Sequence, residues 1–254
     1  MPRHLALLLK LLLLGLLAGQ AFRIALLLFH RDQWHDADRA DVLIALFDRG
    51  LLFDLYINSW MLIVPALLLG AAHAWGGAQR WAWAAARWCF IIPSTLWLFL
   101  ACADIPYFDY TNMRITDAAL VTLHDPAQAL KELLTTPAYL GALLLFALAA
   151  WLVARATRRS FQPPQRHEES SAARRWLLLP VPLALLFLGM RGSADPDQHP
   201  LIAQDAFFSD TPFLNQLGTN AAFSFMESLG QDRIRLMDDQ VAFNEVRAEL
   251  GIEE

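Results

Sequence analysis

Arg23, Asp54, Asp104 and Arg114 are ionisable residues set in or beside long apolar stretches, and that placement is the chemistry this sequence offers. A charge held near hydrocarbon costs a few kcal/mol unless it snorkels to water or meets an opposite charge. Arg23 lies about two turns inside one end of the first apolar run. Asp54 stands at a comparable depth at the start of the second, so an ion pair between them would relieve both desolvation costs. Asp104, Tyr107 and Arg114 belong to a segment of aromatics with interleaved carboxylates, which suits a lipid headgroup region and equally an aromatic belt with no ligand. If the Arg23–Asp54 pair is structural, it only holds two helices together. If it is functional, it sits beside Asp104, Tyr107 and Arg114 in a headgroup cleft.

Catalytic constellations are missing from the sequence. It contains no GxSxG, P-loop, HExxH, CxxC or GxGxxG motif. His30, His35 and the neighbouring aspartates lack metal-ligand spacing and read as a solvated acidic loop. Cys89 and Cys102 are thirteen positions apart on one apolar helix, about 20 Å along its axis, which is beyond disulfide reach.

The elements that must position these residues follow from composition. With 56% hydrophobic residues, nine Trp, sixteen Phe and 18% charged residues, the 254-residue chain is too apolar for a soluble domain. A formal charge of −5 leaves no basic face for nucleic acid, so no nucleic-acid partner is expected. The fold class expected is all-α, a polytopic membrane helix bundle of five transmembrane helices with short amphipathic periplasmic helices. The spans are expected at about 5–29, 51–73, 81–103, 138–154 and 176–190, the last being short and containing Pro180 and Pro182. In the first, Gly15, Gly19 and Arg23 share one face, and the glycines allow another helix to approach closely. Residues 30–48 suggest a short interfacial helix with the apolar patch 42–47, and residues 76–80 a sharp turn. Trp81, Trp83 and Trp88 are expected as interfacial anchors, residues 104–117 as a non-spanning segment, and 117–134 as one or two amphipathic helices broken at Pro126.

The Arg-rich loop at 155–175 orients the whole, since short basic segments resist translocation. It predicts a cytoplasmic N-terminus and an extracytoplasmic segment at 192–254. In that segment Asn220 can cap a helix whose Ala222, Phe225 or Met226, and Leu229 form one stripe. Asp238 can cap another helix, with Ala242, Phe243, Val246 and Leu250.

Several stretches together resemble the membrane portion of the lipoteichoic acid synthase family, the sulfatase-type phosphoglycerol and phosphoethanolamine transferases. They are Ala21-Phe22-Arg23, the run 47–54 from Phe47 to Asp54 leading into a span with Pro65, and the run 103–108 followed by Arg114. The fourth, 205–225, contains Asn215 and Asn220 and is similar to the linker those proteins place before their catalytic domain. Two positions depart from the family pattern, with Leu52 where members often carry a basic residue and Ala221 where they carry Pro. The resemblance implies a bacterial inner-membrane protein with phospholipid partners, anchoring a transferase that moves phosphoglycerol or phosphoethanolamine onto an envelope glycan or lipid. It also implies a sulfatase-like catalytic domain, with a threonine nucleophile and a divalent metal, beginning about where this sequence stops. On that reading the chain is a truncated product or fragment, inactive alone, with no catalytic residue, metal ligand or cofactor of its own. The competing expectation is a non-enzymatic membrane protein whose extracytoplasmic tail binds a partner.

Overall fold

The computed structural model describes residues 2–75, 80–162 and 179–230, together with residues 241 and 247. Among them every regular element is helical. Helix α1 spans Arg3–Phe29 and ends at His30. After a 3-10 turn at Arg31–Gln33, Asp38 accepts a hydrogen bond from the Ala40 amide and starts α2, Arg39–Leu43. A π-helical turn, Ile44–Arg49, joins α2 without a break to α3, Gly50–Ala74. Helix α4 spans Arg80–Thr111. A 3-10 segment at Asp117–His124 leads to α5, Pro126–Thr135, and one residue further on to α6, Pro137–Ser160. Helix α7 is Pro180–Arg191, and the tail carries α8, Pro212–Gly218, and α9, Ala221–Gly230.

Among the described residues four helices are long and apolar enough to cross a membrane: Arg3–Phe29, Arg39–Ala74, Arg80–Thr111 and Pro137–Ser160. Pro180–Arg191 is apolar and counts 12 residues among those described, fewer than the roughly 20 a span requires. Residues 176–178 of the expected fifth span, 163–175 of the basic loop, 76–79 of the expected turn and the helix expected after Asp238 lie outside the described residues.

Burial shows how the bundle is layered. Helix α3 lies at the centre, flanked by α1, α4 and α7, while α6 packs on α4 at the margin. More than half of the apolar window of Arg39–Ala74 is buried, and none of that of Pro137–Ser160. Leu144, Leu148 and Trp151 on α6, like Leu13 and Leu17 on α1, point outward from a helix with no polar covering. Water would penalise so much exposed apolar surface, and a bilayer would not.

Two element boundaries and the burial of one tryptophan depart from expectation for physical reasons. Residues 39–50 are not a separate interfacial helix, because the π turn carries the amide ladder through to α3. Helix α4 does not stop near Ala103. It tolerates Pro93 and Pro106 and runs to Thr111, where Asn112, at φ 55°, takes the left-handed position that ends the helix. Trp81 and Trp88 are exposed as anchors should be, whereas Trp83 is buried among Leu7, Leu11 and Leu69, because it faces the bundle rather than its rim.

Candidate functional site

Gly15, Gly19 and Arg23 recur every fourth residue on α1, and Asn58, Asp54 and Gly50 recur every fourth residue in the opposite direction on α3. The two rows interlock. A Cβ on Gly15 would overlap Asn58, one on Gly19 would overlap the Asp54 carboxylate, and one on Gly50 would overlap the Arg23 guanidinium. Small residues therefore let the α3 polar groups reach the surface of α1. The π turn contributes as well, since its Leu46 carbonyl accepts a 2.7 Å hydrogen bond from Gln20 Nε2 on α1.

Arg23 is 2% exposed and Asp54 0%. Arg23 Nη1 donates to Asp54 Oδ2 at 2.8 Å and Nη2 donates to Asp54 Oδ1 at 3.1 Å, a two-pronged contact that fixes both planes. Arg23 Nη2 also donates to the Gly50 carbonyl at 3.0 Å.

A second pair stands beside the first. Asp104 is 1% exposed and Arg114 5%. Ten residues separate them, but the reversal at Asn112 turns the chain back along α4. Arg114 Nη1 then donates to Asp104 Oδ2, while Asp104 Oδ1 accepts from the Ile115 amide at 2.7 Å. Two positive and two negative side chains are thus buried together with no net charge, which the low-dielectric interior demands.

Both guanidinium groups also reach the tail. Arg23 Nε donates to the Leu217 carbonyl at 2.9 Å, and Arg114 Nη2 donates to the same oxygen at 3.3 Å. Arg114 Nη2 and Arg23 Nη2 share the Thr219 carbonyl at 3.0 and 3.4 Å, and Arg114 Nε takes the Gln216 carbonyl at 2.9 Å. These oxygens end α8, where a helix has spare acceptors and a partial negative charge. Two arginines therefore cap one short helix, and two aspartates hold the arginines in place.

Asn220 completes the connection. Its Oδ1 accepts from the Ala222 amide at 3.0 Å, capping α9, while its Nδ2 donates to Asp54 Oδ1 at 2.7 Å. Of the stripe expected on α9, Ala222 is buried and Phe225 packs against the core, while Met226 and Leu229 are exposed and Ala221 and Phe223 are buried instead. The reason is that Phe223 wedges against Phe53 and Tyr56, with ring centroids 4.7 and 5.2 Å apart, and this sets the rotation of the helix. Asn215 acts locally: its Oδ1 accepts from the Phe208 and Ser209 amides and its Nδ2 donates to the Ser209 carbonyl, closing the loop before α8.

Of the residues singled out from sequence, Arg23, Asp54, Asp104, Arg114 and Asn220 come together. Tyr107 stands apart, its hydroxyl 3.4 Å from Thr116 Oγ1. Gln20, Gly50 and the carbonyls of residues 216, 217 and 219 escaped sequence reasoning. Gln20 had one signal, a polar residue interrupting an apolar run, while backbone oxygens have none. His30, expected in a solvated loop, is buried edge-on to Phe108 at 4.9 Å and near Phe213 at 6.0 Å. The space among the charges is about 20 Å³, room for about one water molecule. Every guanidinium nitrogen of Arg23 and Arg114 is engaged by protein oxygen. In this arrangement the cluster grips the tail and leaves no headgroup-sized space. Among the described residues no group of three or more His, Cys, Asp or Glu is placed to hold a metal ion.

Comparison with protein-family models, with curated proteins and with solved structures finds no match for this chain.

Proposed function

We propose that the chain is the membrane anchor of a transferase that moves phosphoglycerol or phosphoethanolamine from a phospholipid to an envelope glycan or lipid. One observation carries the reading: the tail is locked to the bundle by two buried Arg–Asp pairs and Asn220. A catalytic domain that works on lipid headgroups must be held at a fixed height and orientation over the bilayer. The residues locked in place, 216–220, fall within the stretch that is similar to the family's linker. Arg23, Asp54, Asp104 and Arg114 then act as positioning residues, and the nucleophile and divalent metal belong to the sulfatase-like domain this bundle would hold. The reading sets the protein in a bacterial inner membrane. Lys10 donates to Ser160 at 3.1 Å, so Arg3, Lys10, Arg158 and Arg159 lie at the end opposite the latch that the two Arg–Asp pairs form on the tail. The positive-inside tendency favours a cytoplasmic location for that end and a periplasmic one for the tail.

Deletion of the gene in its host, followed by mass spectrometry of envelope lipids and glycans, tests the proposal. Loss of phosphoglycerol or phosphoethanolamine substituents, restored by the wild-type gene and not by Arg114→Ala, is the expected result. An unchanged envelope would overturn it.

A further inference from the structure

Helix α5 separates its residue types cleanly. Gln128, Lys131, Glu132 and Thr135 recur at helical spacing on one side, tied together by Gln128 Nε2 donating to Glu132 Oε1 at 3.0 Å and Thr135 Oγ1 donating to the Lys131 carbonyl at 2.8 Å. Ala127, Leu130 and Leu134 recur at the same spacing on the other. The helix is well begun, with Pro126 in its first turn and Asp125 accepting from the Gln128 amide. Yet Leu130 and Leu134 are not buried by the chain. Leu130 is 56% and Leu134 57% exposed, and Leu120 and Val121 of the preceding 3-10 segment are 43% and 56% exposed.

The connection to α6 identifies what covers them. Only Thr136 separates the two helices. Helix α6 buries none of its apolar window in the protein, and its last turns carry Arg155, Arg158 and Arg159. That leaves residues 137–154, about 27 Å of helix, to cross a hydrocarbon core of about 30 Å. No length is spare, so Pro137 must sit at the edge of the hydrocarbon and α5 at the headgroup boundary. We infer that α5 and the segment before it form a membrane-surface docking element, with Leu120, Val121, Leu130 and Leu134 buried in the headgroup and acyl boundary of the leaflet on the latch side. Of its charges, Lys131 and Glu132 cancel, and Asp117 and Asp125 add negative ones. The occupant is therefore the apolar boundary of the bilayer and not anionic headgroups. The inference rests on the membrane-spanning helices and is independent of the transferase reading.

Spin labels on the full chain in vesicles of phosphatidylethanolamine and phosphatidylglycerol test it. A Cys89→Ser background keeps the buried Cys102, and the same background without added cysteine serves as the blank. Labels at Leu130→Cys and Leu134→Cys should collide with oxygen several-fold more than with a water-soluble nickel chelate, and labels at Gln128→Cys and Lys131→Cys should show the reverse. Lowering the phosphatidylglycerol fraction should leave the depth unchanged. Equal nickel access on both faces would overturn the inference, because the leucines would then face water. Labels at Leu130 and Leu134 shielded from both reagents would overturn it too, because protein and not lipid would then cover that face.

Discussion

Near the tail, α1 and α3 meet through Gly19, Arg23, Gly50 and Asp54, whereas at their other ends the same two helices meet through Leu7, Leu8, Leu11, Leu62, Ala66 and Leu69. Lipid tails are as apolar as leucine, so the leucine end gains from packing but little from leaving its surroundings. The charged end behaves differently. Its groups have no comparable partner in hydrocarbon, so each depends on the others being in place. Contacts of the first kind tolerate sliding and small losses. Contacts of the second kind fix a register and fail together.

The sharpest way to break this comparison is to strand a charge. Arg23→Leu leaves Asp54 buried with only Asn220 and should cost on the order of 3–5 kcal/mol in unfolding measured in detergent micelles. Arg23→Leu combined with Asp54→Leu should recover a large part of that loss, since an apolar pair strands nothing. Overpacking comes next. Gly19→Ala drives a methyl group into the Asp54 carboxylate and should cost about 1–3 kcal/mol by the same measurement.

Truncation at the leucine end should be milder. Leu69 is fully buried, but with the transfer term largely absent in a membrane, Leu69→Ala loses only the cavity term, up to about 2 kcal/mol. Leu148→Ala on the outward face of α6 should change unfolding by less than about 0.5 kcal/mol. Should Leu69→Ala prove costlier than Arg23→Leu, the contrast between the two ends is wrong.

Much of this architecture can be read in the sequence, for reasons that also explain what cannot. The long helices follow from apolar runs, and the approach of Arg23 to Asp54 follows from two costly charges at matched depths. The meeting of Asp104 with Arg114 does not, because it depends on a helix continuing past Pro106, which local residue preferences disfavour, before it reverses at Asn112. The gripping of the tail is further still from view. Its acceptors are main-chain oxygens of residues 216, 217 and 219, identical in kind to every other carbonyl in the chain. His30 shows the same limit, since it is buried at the end of α1 by two aromatic rings, Phe108 of α4 and Phe213 of α8, and no one segment foretells their meeting.

The account stands on the claim that buried charge, and not apolar contact alone, holds the tail to the bundle. Amide hydrogen exchange of residues 212–224 in lipid nanodiscs, compared between wild type and Arg114→Ala, measures that directly. We predict slow exchange in the wild type and acceleration of about tenfold or more in the variant, equivalent to about 1.4 kcal/mol of local opening, with residues 62–69 unchanged. Equal protection in the two proteins, or fast exchange already in the wild type, would contradict the account.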